Sequence, residues 1–382
     1  MKTLYKYLII TSLLFSAAGT TFAVFLPIYF DWLGMSYFEI GLAMGILSIP
    51  AGVMCLYVGY LEEKLDKIRM LITSHFTYAL LPVFYFFSNS FLSVILVRLY
   101  DGFVSSFKLV PTYTLLESKK SYETGVNIGV NEAFMNLGSL IGPLIAGALI
   151  MQFDIRIIFV MTFVILVPMA LMGLGMLRYS KVSFNKKMGF TKLLKREFRN
   201  RPFMLLALVY MLFIIVSCSL RFLAVPLLMY EHGFTELSIA IVASSMFLFT
   251  FILEMVSGKI ETDSMNNTLL TCGIVLGALA AFLFLVIPLE LHYMVLAALL
   301  FSIAVALVRP AVFSDLVVLE NSHSNMATGV LFFFGYGGAL IGNVLGGLLL
   351  EISFDSFFVF AGSVLVLTAL LSLYFSMPVR QK

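Results

Sequence analysis

The chain has 382 residues, of which 61% are hydrophobic and 12% charged, and its formal net charge is +3. Soluble domains carry about 25% charge, so this composition leaves no water-exposed domain able to house an enzyme. It also lacks the strongly basic surface that nucleic-acid binding requires.

Apolar stretches long enough to cross a hydrocarbon core of about 30 Å recur along the whole length. Twelve spans are predicted, numbered in chain order: 4–30, 37–60, 68–88, 90–117, 124–151, 156–178, 203–229, 236–258, 267–288, 291–319, 325–351 and 356–378. Span 1 opens with Lys2 and Lys6 and holds Thr21-Phe22-Ala23, as a signal peptide does. Its apolar run continues to Phe30, which makes it a span. Between spans 6 and 7, nine basic residues from Arg178 to Arg201 alternate with Phe184, Phe190, Leu193, Leu194 and Phe198. That pattern predicts an amphipathic helix on the inner leaflet, drawn to anionic lipid. The expected division is a six-helix bundle over 1–180, a basic linker over 181–201 and a second six-helix bundle over 202–382.

Of the 24 basic residues, Arg156 alone falls in an outer turn; Arg98, Lys108, Arg221 and Arg309 lie within spans, and the rest face the linker side. The positive-inside rule then puts both termini in the cytoplasm of a multi-pass cell-membrane protein. Cys55, Cys218, Cys272 and the four histidines have no disulfide or metal spacing. No G-x4-G-K-[ST] loop is present, so neither a nucleotide nor another cofactor is expected.

A glycine pattern occurs twice. From Gly129 the chain reads eight residues to Gly138, three to Gly142-Pro143, then two to Ala146-Gly147. From Gly329 it reads eight residues to Gly338, three to Gly342-Asn343, then two to Gly346-Gly347. Leu26-Pro27 and Gly34 match Val225-Pro226 and Gly233 at nearly the same offset. The two halves are copies, and in a membrane protein such a repeat points to a transporter with its site between them.

Charges inside spans are expensive and mark function or pairing. In span 4, Arg98, Asp101, Ser105, Lys108 and Thr112 form one polar stripe of about 80°. Arg98 and Asp101, one turn apart, can brace the helix as a pair or line a site. Arg309 lies 201 residues beyond Lys108, at the matching place in the second half. Lys108, Arg309 and Arg221 are expected to face a central cavity as substrate-binding residues, with Arg98 and Asp101. Glu132 sits deep in span 5 with no cation on its own helix, which makes it the expected carrier of a coupling proton; Glu254 of span 8 is the second candidate. Glu63, Lys64 and Arg69 in the 2–3 loop are expected to form a cytoplasmic gate, with Glu117 and Asp315 as partners.

Twelve spans in two repeats with a basic central linker resemble the major facilitator superfamily, over the whole chain. The loop from Gly59 to Arg69 is similar to that family's G-x3-D-[RK]-x-G-[RK]-x-[RK] motif, with Glu63 in the aspartate place and Asp66 where a second glycine stands. Arg98, Asp101 and Gly102 resemble its R-x-x-[QD]-G motif, and the glycines of span 5 a sequence of its drug-antiporter branches. One departure is that the only acid of span 1, Asp31, sits at its outer end. The resemblance implies an all-α membrane fold of twelve helices in two pseudo-symmetric bundles, with spans 5 and 8, and 2 and 11, meeting between the halves. It therefore places Gly138, Gly142 and Pro143 against span 8, and Gly338 and Gly342 against span 2, as packing surfaces on which the halves rock.

The expected function is secondary transport of a small organic solute by alternating access, as proton-coupled efflux. Import of an organic anion is the second reading; a non-transporting membrane sensor or partner protein is the reading from another class. The expected partners are the solute, protons and the lipid bilayer, with no nucleic acid, and the chain is expected to be a monomer.

Overall fold

In the computed structural model the described residues are 2–61, 65–116, 121–179, 190–257, 266–319 and 325–376, and none of them forms a strand. They build twelve helical rods and a short linker helix. The first six spans run Lys2–Trp32; Tyr37–Ile46 with Ser48–Leu61; Lys67–Ala79 with Leu81–Phe86; Phe91–Leu116; Ser121–Ile150; and Ile157–Leu174. Span 7 runs Arg201–Ser219, passes through a π-helical turn at Leu220–Ala224 and continues as Val225–Glu231. Spans 8 to 12 are Glu236–Ser257, Asn266–Val286, Leu291–Leu319, Asn325–Ile352 and Phe354–Ser376.

Ten of the rods are long and apolar enough to cross a membrane. Span 3 falls short because it breaks at Leu80, ahead of Pro82, and starts with Lys67 and Arg69. Span 4 falls short because Arg98, Asp101 and Lys108 interrupt its apolar length. Proline explains the other irregularities. Pro50 removes the amide that would bond residue 46, beside the break at Leu47, and Pro226 removes the one that would bond Phe222 in the π turn.

The two halves pack alike. In the first, span 5 lies on span 1, span 6 on spans 1 and 3, and span 4 on spans 2 and 3. In the second, span 11 lies on span 7, span 12 on spans 7 and 9, and span 10 on spans 8 and 9. The repeat reaches single turns. Gly34 and Gly233, 199 residues apart, close spans 1 and 7 at φ +81° and +73°, a region that favours glycine. After each, a backbone amide returns to the preceding helix: Met35 to Phe30 at 3.2 Å, and Phe234 to Met229 at 3.0 Å.

Across the halves, span 5 meets span 8 and span 2 meets span 11, the seam that the resemblance implied. The glycines sit elsewhere than expected. A methyl on Gly138 would strike the carbonyl of Leu13, and one on Gly142 that of Ala17, both in span 1. Gly338 and Gly342 stand likewise on Met211 and Ile215 of span 7. These pairs weld each half internally, and Pro143 lies on the same helix between them and the seam. The seam is held by Gly147, whose added Cβ would come within 2.7 Å of Ala240 in span 8, and by Gly347, 2.6 Å from the Tyr37 carbonyl in span 2. The reason is helical phase: nine residues make about two and a half turns, so Gly138 and Gly147 point in opposite directions.

The predicted linker helix runs Phe190–Arg199. Its apolar face rests on protein: Phe190 packs edge-on against Tyr60 at 5.6 Å, and Phe198 against Phe334 at 6.3 Å. It thus spans the ends of spans 2 and 11, one from each half. The remaining linker residues, 180–189, lie outside the described residues.

Candidate substrate and coupling site

Three charged side chains, Glu132, Glu254 and Arg309, meet on the seam between spans 5, 8 and 10. Glu132, 5% exposed, receives a hydrogen bond from the Tyr113 hydroxyl of span 4 on Oε1. Its Oε2 stands 2.9 Å from Arg309 Nη2 of span 10, as a charge contact rather than an aligned hydrogen bond. The Asn136 side-chain amide, one turn along span 5, donates to the Glu132 carbonyl at 3.0 Å and also to Glu254 Oε2 of span 8. One asparagine of the first half thereby holds the Glu254 carboxyl of the second. Above them the Ser244 hydroxyl of span 8 donates to the Leu140 carbonyl of span 5 at 2.8 Å. Tyr113 stacks on Phe313 of span 10 with ring centroids 5.8 Å apart, which shuts the seam on the linker side.

This changes the expected arrangement. Glu132 lacks a cation on its own helix but has one from the opposite half. Lys108 Nζ lies 3.5 Å from the Phe15 ring centroid, between spans 1 and 4, within the field of Glu132. Arg309 touches Glu132, whereas Lys108 acts on it only as a more distant charge.

Arg98 and Asp101 do not join them. Arg98 Nη1 meets Asp101 Oδ2 at 3.2 Å, while Nε and Nη2 donate at 2.9 Å to the carbonyls of Ala43 and Met44. Those carbonyls precede the break at Leu47, whose amide turns to Gly45 instead. Gly102 lets the Leu47 carbonyl approach where any side chain would strike it. The R-x-x-D-G sequence therefore clamps span 4 to the break in span 2, inside the first half. A guanidinium is suited to this because its planar fork satisfies several acceptors at once.

Arg221 stands apart on the π turn of span 7. It is 7% exposed and donates from Nη2 to the Met246 carbonyl at 3.4 Å, with its guanidinium 3.9 Å from the Phe247 ring centroid.

Of the expected gate, Glu63, Lys64 and Glu117 lie outside the described residues. Arg69 is exposed, with its amide capped by Asp66 at 2.9 Å, and Asp315 is half-buried in span 10. The end opposite the linker helix holds a closure that the sequence reading missed. The Tyr37 hydroxyl donates to Glu231 Oε2 at 2.7 Å, and the Phe38 amide to Glu351 Oε1 at 2.9 Å. Spans 7 and 11 thus cap span 2 from the other half. The available signal was two acids at span ends on a side with almost no basic residues to pair them.

Two repeated helical bundles, a seam crossed by buried charge pairs and ten helices fit to cross a membrane define a multi-pass membrane transporter, not an enzyme. The chain belongs to the Major Facilitator Superfamily, whose sequence profile matches residues 8–319. It is 23% identical over 354 residues to Multidrug resistance protein 2 of Bacillus subtilis, covering 89% of this chain and 87% of that one. It is 28% identical over 139 residues to an uncharacterised MFS-type transporter of Methanocaldococcus jannaschii, a match that spans 36% of each chain. Its fold is shared by a POT family transporter solved with a thioalcohol-conjugated peptide, at TM-score 0.80 and 13% identity over 99% of this chain and 96% of that one. The human organic anion transporter MFSD10 is similar at TM-score 0.75 and 15% identity, over 96% and 98% of the two chains.

Proposed function

We propose that the protein moves a small organic solute outward across the cell membrane in exchange for protons, by alternating access, with both termini in the cytoplasm. The moving parts are the bundles 1–180 and 202–382, joined by the linker 181–201. The observation that carries this reading is the Glu132–Arg309 contact, because it ties the halves together through a carboxyl. Parting the halves leaves two charges unpaired in a poorly hydrated seam, at a cost of several kcal/mol. A proton on Glu132 removes one of those charges, and a bound solute can satisfy the other. Either passenger lets the halves move, which is the logic of exchange. Glu254, held by Asn136 on the same seam, is a second proton site. Glu63, Lys64, Glu117, Arg69 and Asp315 remain the proposed cytoplasmic gate. The full-length likeness to a multidrug resistance protein supports the outward direction.

Inside-out vesicles with an imposed pH gradient, screened with a chemically diverse solute panel, test the proposal. Solute-dependent proton release that is lost in Glu132→Gln supports it; undiminished pH-driven transport by that variant refutes the role of Glu132. A second reading, import of an organic anion, is favoured by the cations within the spans, Lys108 and Arg221 buried and Arg309 half-buried.

A further inference from the structure

The cations inside the spans are not held equally. Arg98 has Asp101 and two carbonyls, Arg309 has Glu132, and Lys108 lies on the Phe15 ring in the field of the same carboxyl. Arg221 has no carboxylate within ion-pair distance among the described residues, and Glu254 of span 8 reaches it only as a more distant charge. Its single hydrogen bond, to Met246, is long, and its Nε has no acceptor. A buried guanidinium in this condition costs several kcal/mol unless a counter-charge reaches it.

The surroundings have the form of a site. The π turn at Leu220–Ala224 is an irregularity often found where helices serve function. It places Arg221 beside a pair of rings, Phe247 of span 8 at 3.9 Å and Phe222 at 5.5 Å from the guanidinium carbon. One turn before Arg221, the Cys218 thiol receives the Asn343 side-chain amide of span 11 at 3.6 Å. Asn343 is 2% exposed, and its Oδ1 is left without a donor. An unmatched planar cation, an unmatched acceptor and aromatic faces thus occur together in the second half.

We propose that Arg221 seats the anionic head of the transported solute, a carboxylate or sulfonate joined to an aromatic body. The guanidinium fork binds the two or three oxygens, which is the geometry it fits best. Phe247 and Phe222 take the body, and Asn343 Oδ1 accepts from a hydroxyl or amide on it. The inference rests on the reading of the protein as a solute transporter, but on neither its direction nor its coupling ion.

The test is binding without any gradient. Purified full-length protein is melted with benzoate, benzenesulfonate, benzamide or benzylammonium at constant ionic strength. Benzoate and benzenesulfonate should raise the melting temperature in a saturable way, and the neutral amide and the cation should not. Arg221→Gln should weaken the benzoate response by about tenfold or more, whereas Lys192→Gln on the exposed linker helix should not change it. Arg221→Lys, which keeps the charge and loses the fork, should retain part of it and guards against a folding defect in the glutamine variant. The proposal is overturned if benzamide matches benzoate in the wild type, if no anion acts on the wild type, or if Arg221→Gln responds in full. Because no proton gradient is present, loss of proton coupling in vesicles leaves this result unaffected, so the two readings fail separately.

Discussion

Arg309 and Glu132 are 177 positions apart in sequence and 2.9 Å apart in space, and each belongs to a different half of the repeat. The contact makes protonation and movement of the halves one problem. Glu132→Gln keeps the shape and removes the charge, so it should abolish pH-driven accumulation while preserving downhill exchange of solute. Arg309→Gln should instead leave Glu132 buried with only the Tyr113 hydroxyl and the more distant charge of Lys108. Its cost in stability should be on the order of 2 kcal/mol, below the 3–5 kcal/mol of a fully buried pair, because the arginine side chain is 25% exposed. Exchanging the two residues should recover part of that stability in thermal melts. If the exchanged protein melts no higher than Arg309→Gln, the pair does not hold the seam.

Glycine substitutions separate welds from seams. Gly142→Ala drives a methyl into the Ala17 carbonyl within one half, and should cost about 1–3 kcal/mol whichever way the protein faces. Gly147→Ala meets Ala240 and the Glu236 carbonyl of the other half, at 2.7 and 2.8 Å. It should cost less, since the halves can part, and should favour the state open at that end. Distances between spin labels on spans 5 and 8 would check this. Equal effects of both variants on those distances would remove the distinction.

Much of this was legible because it is periodic. The repeat offset of 199 to 201 residues identified the paired spans, and it holds down to the Gly34 and Gly233 turns. The phase of Gly147 against Gly138 was also present in the spacing, yet the conspicuous Gly138-x3-Gly142 step drew the seam onto the wrong face. What could not be read were contacts between halves. Nothing in sequence joins Glu132 to Arg309, Asn136 to Glu254 or Phe38 to Glu351, since those pairs depend on how two bundles meet. Arg98 and Asp101 were expected in the substrate site, with a brace as the other reading, and the broken backbone of span 2 that they clamp is visible only in three dimensions.

That clamp yields a prediction about stability rather than transport. Arg98→Lys keeps the charge but cannot reach both the Ala43 and Met44 carbonyls in the plane of a fork. It should melt below the wild type by about 1–3 kcal/mol of lost hydrogen bonding to a charged group, and bind solute with unchanged affinity once folded. Asp101→Asn should behave similarly, because it leaves Arg98 without its counter-charge. A large loss of affinity in a variant with wild-type melting would return the pair to the substrate site.

The closure opposite the linker helix should govern access to Arg221. Tyr37 and the Phe38 amide hold Glu231 and Glu351 of the other half at 2.7 and 2.9 Å. Tyr37→Phe removes one of these bonds, and Glu351→Gln weakens the other by replacing a charged acceptor with a neutral one. Each bond at an exposed site contributes about 0.5–1.5 kcal/mol, so losing both would raise the open population by roughly 5- to 150-fold, and losing one while weakening the other should raise it at least severalfold. Cys218, partly buried one turn from Arg221, reports on that opening once Cys55 and Cys272 are replaced by alanine. A membrane-impermeant maleimide should label it several times faster in the Tyr37→Phe, Glu351→Gln protein than in its parent. Labelling should slow again when benzoate saturates the Arg221 site. Unchanged labelling would mean that these two bonds do not hold the halves shut at this end, and that the Gly147 and Gly347 contacts do so alone.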